Sequence, residues 1–118
     1  MVIQGNEEEL AKVSVQFLAG VYEVREMNWI IWRPGYDFDT YTTMILQNLP
    51  HNLKKHIRIT KASQIICFHN RIIRFLYSQN PEKLRGLYKD SVFLVADYTL
   101  YKMEVNQHKW DWFFIKHE

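Results

Sequence analysis

Apolar positions recur along this chain in two rhythms, and each change of rhythm marks an element. Leu10, Val13, Phe17 and Leu18 return at helical spacing. Asn6 can cap the first turn, Glu7, Glu8 and Glu9 suit the positive end of the helix dipole, and Gly20 is placed to end the run. The pattern predicts a helix over residues 7–19. Val21–Trp32 is rich in β-branched and aromatic residues and stops at the turn signal Arg33-Pro34-Gly35, so it reads as a strand or a bent pair of strands. Asp39 can cap a short helix over Thr40–Leu49, with Tyr41, Met44, Ile45 and Leu49 as its apolar side and Pro50 as its end. Ile57–Thr60 alternates as a strand does.

Residues 64–77 fit either rhythm. Ile65, Phe68, Ile72, Phe75 and Leu76 match a helix, but the same residues are strand formers, and His69-Asn70 can turn a hairpin between IICF and RIIRFLY. The Ile, Phe, Cys and Tyr content favours the strands. Asn80-Pro81-Glu82 starts a short helix over Pro81–Tyr88. Val92–Ala96 is a continuous apolar run, as in a buried strand. Tyr101, Met103 and Val105 alternate against Lys102 and Glu104, Asn106–Lys109 can turn the chain, and Trp110, Trp112 and Phe114 alternate against Asp111, Phe113 and Ile115. These segments predict a C-terminal hairpin. The sum is an α+β fold: a mostly antiparallel sheet or open β-barrel with two or three short helices, in a single domain over residues 1–118.

Composition narrows this only a little. Hydrophobic residues are 47% and charged residues 24%, a balance that excludes disorder. One cysteine, Cys67, excludes an internal disulfide and multi-cysteine zinc sites. The start MVIQGNEEEL lacks the pattern of a secretory signal, and no apolar run approaches the ~20 residues of a membrane span. With an unpaired thiol, these features lead us to expect a cytoplasmic protein with no membrane partner.

Charge changes the picture more. The net charge is only +2, but it is unevenly distributed. Residues 1–50 carry −4, residues 51–89 carry +8, and residues 90–118 carry −2. The middle third holds Lys54, Lys55, Arg58, Lys61, Arg71, Arg74, Lys83, Arg85 and Lys89 against Glu82 alone. Such a concentration attracts phosphate backbones. His51, His56 and His69 can add charge below neutral pH, and Phe68, Phe75, Tyr77 and Tyr88 stand nearby. Exposed aromatics beside cations are the means of holding single-stranded RNA. The competing explanation is internal: the basic middle pairs with the acidic ends, and Phe68 and Phe75 belong to the core. The motifs of the RRM and KH modules are absent.

Candidate chemistry is sparse. Gly5, Gly20, Gly35 and Gly86 are too scattered for a phosphate-cradling loop. Cys67 and His69 would share a strand face, but a lone Cys between Ile66 and Phe68 reads as inert core. The five histidines lack zinc spacing: His51 and His56 are five apart, and His108 with His117 across the last hairpin makes too few ligands. Asp37 and Asp39 read as helix caps rather than a catalytic carboxylate pair. We therefore expect no cofactor, no metal and no catalytic constellation.

Overall size, the aromatic β-rich C-terminal half (VFLVADYTLYKMEV and KWDWFFIK) and the basic middle resemble the small PrgU-type proteins of Gram-positive conjugative plasmids. That resemblance implies a cytoplasmic PUA-like fold, RNA binding and post-transcriptional regulation, for instance of a surface protein. The run LRGLYKDSVFLVADYTLY (Leu84–Tyr101) also looks like the sheet segment of RelE-type RNA-cleaving toxins. Those depend on Arg, Lys or His in the sheet, where this chain carries Trp110, Trp112 and Phe114. The expected function is thus non-catalytic RNA binding, with Lys54, Lys55, Arg58, Arg71, Arg74, Lys83, Arg85 and Lys89 on phosphates and Tyr77 or Tyr88 on a base. The alternative is a protein-interaction module, such as a plasmid- or phage-borne inhibitor or immunity protein, meeting an acidic protein surface with Trp29, Trp32, Trp110 and Trp112 as anchors.

Overall fold

A computed structural model describes residues 2–32, 35–77 and 92–105, together with Trp110 and Phe113. Its elements are β1 (Val2–Gly5), α1 (Glu7–Leu18), β2 (Glu26–Ile31), α2 (Phe38–Asn48), α3 (His51–Lys54), β3 (Ile57–Thr60), β4 (Ile65–Phe68), β5 (Arg71–Tyr77), β6 (Val92–Ala96) and α4 (Asp97–Val105). The six strands form one sheet in the order β1-β6-β2-β5-β4-β3. The chain is α+β as expected, but the sheet is mixed rather than mostly antiparallel. β1, β6, β2 and β5 run parallel, and only β4 and β3 are added antiparallel. Among the described strands β1 and β3 are its edges, and the described residues hold four helices rather than two or three.

The parallel half explains two apolar runs that carry almost no alternation. β2 is buried from Met27 to Ile31 and β6 along its whole length. Parallel strands with helices over both faces lose their polar side. One face of the sheet sets Met27, Trp29, Ile73, Phe75 and Leu94 against α1 and α2. The other sets Ile30, Phe93 and Val95 against Met103 of α4 and against Trp110 and Phe113. The hairpin β3–β4 extends past this sandwich, and its strands bury one face at most, as in antiparallel additions.

α1 begins where Asn6 accepts from the Glu9 amide at 2.8 Å, and its amide nitrogen returns a bond to the Glu9 carboxylate at 2.6 Å, a reciprocal cap. Gly20 follows the helix at φ +88°, the left-handed region where a side chain is strained. A Cβ there would also stand 3.0 Å from Nη2 of Arg71, so that guanidinium lies against the end of α1. α2 is capped by Asp37, not by Asp39: Oδ1 of Asp37 accepts from the Thr40 amide at 2.9 Å and from its hydroxyl at 2.8 Å. This starts the helix at Phe38, two residues ahead of the expected start.

The C-terminal hairpin is the main correction. Asp97–Val105 is helical, as are Trp110 and Phe113. Alternation would have buried Tyr101, Met103 and Val105 together, yet Tyr101 is 59% and Val105 63% exposed. The buried pairs are Thr99 with Met103 and Trp110 with Phe113, at spacings of four and three, which is the helical period. The sequence reading also missed β1, whose four residues are too few to show a period. The expected hairpin over 64–77 is present, with β4 and β5 joined through His69-Asn70. The expected helix Pro81–Tyr88 and turn Asn106–Lys109 lie outside the described residues.

Asn28 is a polar residue in the centre of this sheet. It is fully buried, and neither its amide oxygen nor its nitrogen has a hydrogen-bond partner. Burying an amide without partners costs ~1–3 kcal/mol. Asn28→Leu, similar in volume, should therefore raise the urea midpoint, by the equivalent of about 1–2 kcal/mol. A lowered midpoint would show that the amide is satisfied in solution.

Candidate nucleic-acid interface

Pro50 ends the extended link after α2 and α3 supplies a single turn, which places Lys54 and Lys55 on exposed backbone just ahead of β3. β3 is the sheet edge, and Arg58 projects from it into solvent. The register then does what spacing along the chain conceals. Ile57 pairs with Phe68, so the residues one step beyond that pair, His56 and His69, meet at the same end of the sheet. Their imidazole centres are 5.9 Å apart with 27° between the planes, and Phe68 lies edge-on to both. His51, Lys54, Lys55, His56, Arg58 and His69 are all exposed. None of Lys54, Lys55 and Arg58 has a carboxylate within ion-pair distance among the described residues. From His51 to Tyr77 the chain has no Asp or Glu.

The other expected phosphate contacts do not join this cluster. Arg71 and Arg74 are three apart on β5, so alternation sends them to opposite faces. Arg71 lies against Gly20, and Arg74 makes a double contact to Glu26 at 3.2 and 3.3 Å. Lys61, at the far turn of the β3–β4 hairpin, bonds Asp39 at 2.8 Å, and that carboxylate raises its pKa, first by hydrogen bonding and then by charge. Tyr77 stands at the opposite end of β5 from the His69 turn, about 20 Å away at strand rise. Its phenol pKa is raised, mainly by burial and further by the charges of Asp37 and Asp39. Asp37 itself is held below the ordinary carboxylate range by the Thr40 amide, then by the Thr40 hydroxyl. Lys83, Arg85, Tyr88 and Lys89 lie outside the described residues.

The two ends of the sheet differ in their dominant charge, though each carries a group of the other sign: Glu26, in register with Ile72, at one end and Lys61, bonded to Asp39, at the other. Carboxylates follow the parallel strands at their exits: Glu7 after β1, Asp37 and Asp39 after β2, and Asp97 after β6. Cations and imidazoles gather where β5 begins: Lys54, Lys55, His56 and His69, with Arg71 turned away onto the end of α1. An open cleft of about 370 Å³ belongs to the acidic end, where Glu7, Glu8, Tyr36, Met44, Gln47 and Asn48 line it, a poor setting for phosphate.

Sequence reasoning missed the pairing of His56 with His69, thirteen residues apart, because it did not pair the strand 57–60 with the following hairpin. Cys67, read as inert core, is only partly buried, and it pairs with Arg58 across the ladder. The described residues contain no group of three or more His, Cys, Asp or Glu fit to hold a metal ion. Among them no helix is long and apolar enough to cross a membrane. No protein-family model, curated protein or solved structure matches the chain.

Proposed function

We propose that this protein binds single-stranded RNA through the α3–β3 edge, with Lys54, Lys55 and Arg58 neutralising consecutive phosphates and the paired rings of His56 and His69 offering a stacking surface. The observation that carries this reading is the set of three exposed cations, without ion pairs among the described residues, beside two exposed aromatic rings. Cations already paired with carboxylates, as Lys61 and Arg74 are, have less to gain from a phosphate. Charge and stacking suffice for the binding itself. The PrgU-type resemblance adds a role, that of a cytoplasmic post-transcriptional regulator. Its PUA-like barrel is not needed for this interface.

The rival protein-interaction module has less support. Two of its four tryptophan anchors, Trp29 and Trp110, are core residues at 1% and 0% exposure. The test is the salt dependence of affinity for a labelled single-stranded RNA, followed by fluorescence anisotropy. Three neutralised phosphates give a slope of log K against log[salt] of about −2. A flat slope, or no binding at low salt, would overturn the proposal.

A further inference from the structure

The same edge brings together two imidazoles and three cations, and this is more than stacking requires. We infer that His56 and His69 form a general acid–base pair that cleaves bound RNA at its 2′-hydroxyl, leaving a 2′,3′-cyclic phosphate. The inference rests on the RNA-binding reading for its substrate and goes beyond it in chemistry.

Cleavage of this kind needs one group within about 3 Å of the ribose 2′-oxygen and another within about 3 Å of the departing 5′-oxygen. Both oxygens are apical on one phosphorus in the transition state, so the two groups must flank it from opposite sides, a few ångströms apart. Imidazole centres 5.9 Å apart are of that order. The pair is also held in place. His56 is fixed at the entry to β3 by the Ile57–Phe68 register. His69 occupies the two-residue turn between Phe68 and Arg71 at φ +53°, a left-handed position that such turns usually give to glycine or asparagine. Its ring centre is 4.3 Å from that of Phe68, with 70° between the planes, so one side of the imidazole packs on a core-facing ring.

The step balances without a co-reactant. A neutral imidazole takes the proton of the 2′-hydroxyl, and the 2′-oxygen forms a bond to the adjacent phosphorus. The bond from phosphorus to the 5′-oxygen breaks, and the second imidazole, protonated, gives its proton to that oxygen. The products are a 2′,3′-cyclic phosphate and a 5′-hydroxyl end. The two rings finish with exchanged protonation, which solvent restores. Arg58, two residues along the chain from His56, and Lys54 and Lys55, just before it, supply cations for the charge that builds on the phosphorane oxygens. No carboxylate of the segment 51–77 opposes them.

The test uses the full chain in EDTA with a 5′-labelled single-stranded RNA and the same sequence as DNA. Products are identified by mass and affinity is followed by anisotropy. The expected result is cleavage of RNA but not DNA, with cyclic phosphate ends. His56→Ala and His69→Ala, both at exposed positions, should each slow cleavage about 100-fold or more when the rate is measured with all of the RNA bound, so that the loss of stacking affinity does not enter the comparison. RNA that is bound but stays intact overturns the cleavage inference and leaves the binding proposal standing. Cleavage that survives both substitutions unchanged overturns it as well, by assigning the activity elsewhere. Failure to bind RNA at low salt overturns both.

Discussion

Trp29→Ala should remove a large share of this protein's stability and leave a chain that unfolds at a much lower urea concentration. Trp29 is 1% exposed in the middle of β2. Its ring centre lies 4.8 Å from that of Tyr41 and 5.8 Å from that of Phe75, which ties the sheet to α2. Its indole nitrogen donates to the hydroxyl of Ser14 at 3.0 Å, and that hydroxyl donates to the Leu10 carbonyl at 2.9 Å, which ties the sheet to α1. Truncating a buried tryptophan costs about 3–5 kcal/mol, against a total of roughly 5–15 kcal/mol for a domain of this kind. Trp29→Phe keeps most of the ring contacts and gives up the hydrogen bond, so about 1–2 kcal/mol should go. Urea titrations followed by far-ultraviolet circular dichroism separate the two variants. A Trp29→Ala midpoint close to wild type would mean that the core is not organised around this residue.

The second large effect concerns binding. Replacing Lys54, Lys55 and Arg58 together by alanine should lower RNA affinity by roughly 100-fold at 0.1 M salt, since each lost phosphate contact removes about 0.7 from the salt slope. All three side chains are exposed, so the variant should melt like wild type. Arg71→Ala is the control that the structure supplies. Counted along the sequence it belongs to the same basic third, but its guanidinium lies against Gly20 on α1. RNA affinity should barely change. If Arg71→Ala proved as damaging as the triple replacement, the interface would lie on the other face of β5.

The two variants also mark what was legible in the sequence. α1, β3, the hairpin β4–β5 and β6 were readable because each has a local signal: a cap, an alternation, a two-residue turn or an unbroken apolar run. Strand direction was not, because it is set by crossovers rather than by residues in the strand. The run Val92–Ala96 reads the same whether its neighbours run with it or against it. The C-terminal helix was misread because Tyr101, Met103 and Val105 satisfy a period of two, whereas the burial of Thr99 and Met103 follows a period near four. For the site, the charge of the middle third was plain, but its division was not. Arg74 met Glu26 and Lys61 met Asp39 through contacts 48 and 22 residues apart. The pairing of His56 with His69 was within reach, since the strand 57–60 and the turn His69-Asn70 were both recognised and needed only to be placed in register.

One topological feature bears on how the chain is made. β6 is the last of the described strands in sequence, yet it lies between β1 and β2, the first two. Until residues 92–96 leave the ribosome, β1 has no partner among the described strands and β2 lacks its neighbour on one side, so neither helical layer has its full sheet to cover. The nascent chain must keep these edges apart while most of it is already synthesised. The gap is filled only by the five-residue apolar strand β6, which joins both neighbours. A message cut short before that point would yield a polypeptide with every residue of the α3–β3 edge and no sheet centre to hold them, a natural substrate for proteolysis rather than a weaker version of the protein.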